Sequence, residues 1–70
     1  MPLSARNRLA GTVQSVETEG LMAEVEIETD GGQTVTAVIT ANSAERLGLA
    51  EGEAVNAVVK ATEVLVESRE

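Results

Sequence analysis

Seventy residues hold one domain, residues 1–70, with a single small core. Twelve acids against five bases leave a net charge of −7, and the chain has no Cys, His, Phe, Tyr or Trp. These absences exclude thiol and imidazole catalysis, disulfides and the usual zinc sites. They also leave a nucleic acid no ring to stack on and a repelling field for its phosphates, so neither DNA nor RNA is an expected partner. Apolar runs such as Val64-Leu65-Val66 are far too short to span a bilayer. Met1 to Arg6 lacks the apolar stretch of a signal peptide, so the expected location is cytoplasmic. Without staples or rings to fill the centre, a core of Val, Ile, Leu, Ala and Met makes oligomerisation the default expectation.

Leu9 to Thr18 predicts a first strand, irregular because Val13 and Val16 break a two-residue alternation. In Met22 to Thr29 the alternation is clean: Ala23, Val25 and Ile27 share one face, and Glu24, Glu26 and Glu28 the other. Asp30-Gly31-Gly32 supplies a hairpin turn. Gln33 to Ala41 then predicts a third strand with Val35, Ala37 and Ile39 on its inner face. A short helix follows over Asn42–Gly48, with Asn42 as cap, Glu45 closing a capping box and Gly48 after the last turn. Ala54 to Ala61 and Glu63 to Ser68 read as the fourth and fifth strands. Five short strands with one helix between strands three and four predict an all-β fold, a five-stranded OB-like Greek-key barrel. Val38, Ala54 and Val58 fall on the outer faces, an apolar surplus that points to subunit contacts.

Catalysis has little to stand on. The Glu24, Glu26 and Glu28 carboxylates are a solvated strand face, and no Ser or Thr has a His to activate it. The bases draw attention because they are few. Arg6 precedes the first strand, Lys60 ends the fourth, and Thr40 and Ser43 flank the start of the helix. Helix N–H groups, the hydroxyls of Ser4, Thr40 and Ser43, and the charges of Arg6 and Lys60 together suit a small dianion. On spacing alone the plainer reading leads: solvated charges at Arg6 and Lys60, capping hydroxyls at Thr40 and Ser43.

Ser4-Ala5-Arg6-Asn7, Leu9-x-Gly11, Ile39-Thr40-Ala41-x-Ser43, Leu47-Gly48-Leu49-x-Glu51-Gly52 and Val59-Lys60-Ala61-x-x-Val64 occur in this order along residues 3 to 67. Together they resemble the molbindin (Mop) family of small molybdate-binding proteins. The same module is found at the end of molybdate-responsive regulators and molybdate-transport ATPases. The resemblance implies an OB-like barrel assembled as a hexamer, a trimer of dimers, with oxyanions held between subunits. Carried over, the pocket uses Ser4 and Arg6 with the Ala5 backbone, and Lys60 with Ala61. Thr40 and Ser43 come from a neighbouring chain. Some relatives have Ser where this chain has Ala61, leaving the Ala61 N–H as the donor there. The ligand implied is molybdate, or tungstate of nearly the same size and charge, bound only as the oxyanion and with no catalytic cofactor. The expected role is molybdenum storage and homeostasis. The alternative, from another class, is a non-catalytic oligomeric interaction module that binds no anion.

Overall fold

A long first strand organises the computed structural model, which describes residues 7–69. Strand β1, Asn7–Glu19, is followed by β2, Met22–Thr29, and β3, Thr34–Thr40. Helix α1, Ala41–Leu47, leads on to β4, Ala54–Val59, and a 3-10 turn at Ala61–Glu63. All pairings are antiparallel, and the order across the curled sheet is β3-β2-β1-β4. β1 serves two neighbours in succession. Asn7 to Thr12 pair with β4, Asn7 opposite Val59, while Gly11 to Glu19 pair with β2, Glu19 opposite Met22.

At the overlap, Gly11 is flanked on both sides, by Thr29 and by Val55. A Cβ there would overlap the Glu28 carbonyl oxygen and lie 2.9 Å from Ile27 Cγ2, so only glycine lets the strands close up. Beyond it the register slips between Val13 and Ser15. Gln14 is the extra residue of a β-bulge, which turns both Val13 and Val16 inward. That is the physical cause of the broken alternation. Gln14 itself donates from Nε2 to Glu28 Oε1 at 2.9 Å.

The core is made of small side chains. Val13, Val25, Ile27 and Ala57 are buried, with Val16, Val35, Ile39, Leu49 and Val55 packed around them. Among the described residues, Val13 and Val25 are the largest side chains that are fully buried. The inner faces expected for β2, β3 and β4 are the inner faces found. The outer-face apolars are exposed, Val38 by 63 % and Val58 by 45 %. At the β2–β3 turn the Thr29 amide donates to Gln33 O at 2.7 Å, and Gly32 N–H donates to Thr29 O at 2.9 Å.

Two expectations need correction. The helix starts one residue earlier than expected, and its cap is Thr40, not Asn42. Thr40 is still extended (φ −72, ψ 148) as the last residue of β3, and its hydroxyl accepts from the Ser43 amide at 3.0 Å. Strand and helix abut with no linker, so the cap is a strand residue. The end of the helix is as expected: Gly48 is left-handed (φ 67, ψ 34), and its N–H donates to Glu45 O at 3.0 Å. The second correction concerns the barrel. Among the described residues four strands form, and residues 64–69, which cover most of the expected fifth strand, lie in none. Alternating apolar residues make that segment fit for pairing, but pairing also needs an unoccupied edge within reach.

Candidate functional site

The expected anion donors fall into two groups. The first is where β3 turns into α1. Thr40 Oγ1 accepts from the Ser43 N–H and donates its own proton to Ser43 Oγ at 2.8 Å. A hydroxyl that accepts this way keeps its own hydrogen to give elsewhere. Ser43 is therefore the outward donor of the pair, with Thr40 holding it. The Ala41 N–H is engaged with Leu21 O at 2.8 Å. No acid sits in the first turn of α1 to repel an anion there.

The second group follows β4. Lys60 is exposed and extended (φ −64, ψ 139), and its carbonyl accepts from Glu63 N–H at 2.8 Å, closing the 3-10 turn that Ala61 begins. The Asn7 side chain donates from Nδ2 to Val59 O at 3.2 Å, fastening the start of β1 beside the end of β4. Asn7 is thus a positioning residue that sequence reasoning passed over. Its signal was its place directly after Arg6. Ser4, Ala5 and Arg6 lie outside the described residues.

The register sets these two groups apart. Thr40 is opposite Met22, which is opposite Glu19 at the last position of β1. Val59 is opposite Asn7 at the first position. The hydroxyl pair and the lysine thus belong to opposite ends of a thirteen-residue strand. None of the main grooves is lined by residues of both groups. Charge is divided in the same way. Glu17, opposite Glu24, and Glu19 crowd the Thr40 end, whereas Arg8, opposite Val58, joins Lys60 at the other. The groove beside α1, about 440 Å³, carries Glu45 and is lined by neither Thr40 nor Ser43. It is not an anion pocket.

Against known proteins, residues 3–66 match the TOBE domain. The chain belongs to the TOBE-domain family. It is 44% identical over 66 residues to molybdenum-pterin-binding protein 3 of Clostridium pasteurianum, covering 94% of this chain and 97% of that protein. A molybdate-binding protein from Sporomusa ovata superposes with a TM-score of 0.92 at 37% identity, over 97% of this chain and 100% of that one. The cytoplasmic molybdate-binding protein ModG, with molybdate bound, superposes with a TM-score of 0.83 at 43% identity. That match covers 87% of this chain and 43% of the other. This TOBE domain is thus a member of the Mop group, among whose relatives are proteins named for binding molybdenum-pterin and molybdate. Among its described residues no helix is long and apolar enough to cross a membrane.

Proposed function

We propose that this domain is a cytoplasmic molybdate-binding protein that holds the oxyanion between the subunits of a hexamer and serves molybdenum storage or homeostasis. Ser4, Arg6, Lys60 and the Ala5 and Ala61 backbones of one subunit face Thr40 and Ser43 of another. The observation that carries the reading is the separation of the two donor groups along β1. A tetrahedral oxyanion is only a few ångströms wide, so a site that uses both groups draws them from different copies. Molybdate binding by relatives of the same fold supports the choice of ligand. Several relatives are named for molybdenum-pterin, but this chain has no aromatic ring on which a pterin could stack, which favours the bare anion.

No bond is made or broken in this reading. Charge-assisted hydrogen bonds from Arg6 and Lys60 hold the dianion, and the hydroxyl and amide donors orient it. The net charge of −7 does not forbid this. Distant carboxylates are screened over about 8 Å at physiological ionic strength, whereas the donors act at contact.

Native mass spectrometry with molybdate, and separately with sulfate, tests the proposal. A hexamer that takes up molybdate and ignores sulfate is expected, with uptake lost in Arg6→Ala while the hexamer persists. A discrete oligomer with no uptake would leave the interaction module as the reading.

A further inference from the structure

The bases of this chain are not spread among its acids. Residues 7–12 of β1 and residues 54–60, which are β4 and the residue after it, hold Arg8 and Lys60 and no acid, in a chain of net charge −7. The acids of the sheet, Glu17, Glu19, Glu24, Glu26 and Glu28, lie on the far half of β1 and on β2. The register places the two cations together. Arg8 is opposite Val58, and Lys60, two residues beyond Val58 and still extended (φ −64, ψ 139), falls on the same face. Diagonal neighbours of this kind are roughly 7–8 Å apart, within reach of two long side chains. The face is the outer one: Val58 is exposed, whereas Ala57 beside it is buried. The bond from Asn7 Nδ2 to Val59 O, 3.2 Å, fastens the two segments in this register. Flanking acids do not neutralise the pair. Asp30, whose amide donates to Ala10 O, and Glu63, whose amide donates to Lys60 O, form no ion pair with either cation among the described residues.

We propose that Arg8 is a further cation of the oxyanion site, acting with Lys60 to favour a dianion over a monoanion of the same shape. The proposal rests on the anion reading above, in which Lys60 is a donor, and adds to it what reads the ligand's charge. Two like charges held side by side on one sheet face repel each other. A doubly negative ligand beside them turns that repulsion into attraction, and each cation contributes in proportion to the ligand's charge. A monoanion gains half as much from the same two cations. The hydroxyl and amide donors thus answer to the tetrahedral shape, and the number of cations answers to the charge. The magnitude follows from Coulomb's law. A unit charge roughly 7 Å away in water is worth at most about sevenfold in the affinity of a dianion and about threefold in that of a monoanion, before salt screens it.

Calorimetry with molybdate and with perrhenate, a tetrahedral monoanion of similar size, tests the proposal. Arg8→Gln is expected to weaken molybdate about three- to sevenfold and perrhenate less than threefold. Arg8→Glu, which reverses the charge, should square each loss and so widen the gap between the two anions. Arg8→Lys, which keeps the charge, should bind both as the wild type does. Arg8 is exposed, so the ligand-free melting temperature of Arg8→Gln should not fall, because the change removes a repulsion and no buried contact. Several results overturn the proposal and leave the anion site standing without Arg8. These are wild-type molybdate affinity in Arg8→Gln, equal losses for the two anions, an Arg8→Lys as weak as Arg8→Gln, or a ligand-free melting temperature that falls in Arg8→Gln while affinity holds. A wild-type protein that takes up neither anion overturns the site itself, and the part of Arg8 with it.

Discussion

Gly11 is paired to Thr29 on one side and to Val55 on the other, and its α-carbon faces the Glu28 carbonyl with no space between. The obstacle is backbone on a neighbouring strand, so it cannot swing aside as the tip of a side chain would. Gly11→Ala should therefore destabilise the fold by about 1–3 kcal/mol, the usual range for overpacking, read as a lower urea midpoint. Lys60 is the opposite case. It is exposed, just beyond the end of β4, and belongs to no part of the buried core. Lys60→Met should leave the ligand-free melting temperature unchanged and weaken molybdate roughly ten- to hundredfold by calorimetry, the loss of one charge-assisted bond. A melting temperature that falls while affinity holds would make Lys60 structural. Thr40, Ser43 and Lys60 stood out in the sequence as scarce cations and hydroxyls at element ends. That they lie at opposite ends of β1 was not legible, because it depends on the pairing of β1 with both neighbours. The internal order of the hydroxyl pair, with Thr40 donating to Ser43, likewise needs three-dimensional geometry.

Among the elements, legibility followed how local the cause was. The β2–β3 hairpin was fully readable, since alternation and an Asp-Gly-Gly turn decide it within the segment. The irregularity of β1 was visible in Val13 and Val16, but its bulged residue, Gln14, is defined only against β2. The cap of α1 was misread because Thr40 also satisfies the alternation of β3, and one residue cannot show both roles in a linear pattern. The expected fifth strand is a different case: its residues have an apolar pattern, but residues 64–69 lie in none of the strands among the described residues, and pairing depends on a partner edge that a linear pattern does not contain. The cap offers a direct check. Thr40→Val keeps the β-branched shape and removes both hydrogen bonds to Ser43, so it should lower stability by about 1 kcal/mol. Thr40→Ser, which retains the hydroxyl, should stay near wild type. If the two variants melt together, the hydroxyl is not the cap.

For the whole molecule, the small core and the charge pull against each other. With Val13 and Val25 as the largest fully buried side chains among the described residues, one chain shows little interior, and Val38, Val58 and Val64 to Val66 are exposed surface that the proposed assembly would bury. Each copy brings a net charge of −7 to that contact. The proposed assembly would join like charges around apolar surfaces, so its electrostatic contribution would be repulsive and salt should favour it. The screening length falls from about 30 Å at 0.01 M to about 8 Å at 0.15 M, which removes most repulsion between exposed carboxylates on different chains. Sedimentation equilibrium in potassium chloride should therefore show tighter assembly at 0.15 M than at 0.01 M. Interfaces held by complementary charge would behave the opposite way, and weakening with salt would locate the binding energy in ion pairs instead of apolar burial. Molybdate provides the second arm of the same experiment. A ligand that requires two copies stabilises the assembly by mass action, about 2.7 kcal/mol at one hundred times its dissociation constant for a single site. At 0.01 M salt, where the free assembly is weakest, molybdate should produce its largest shift toward the oligomer, and sulfate none.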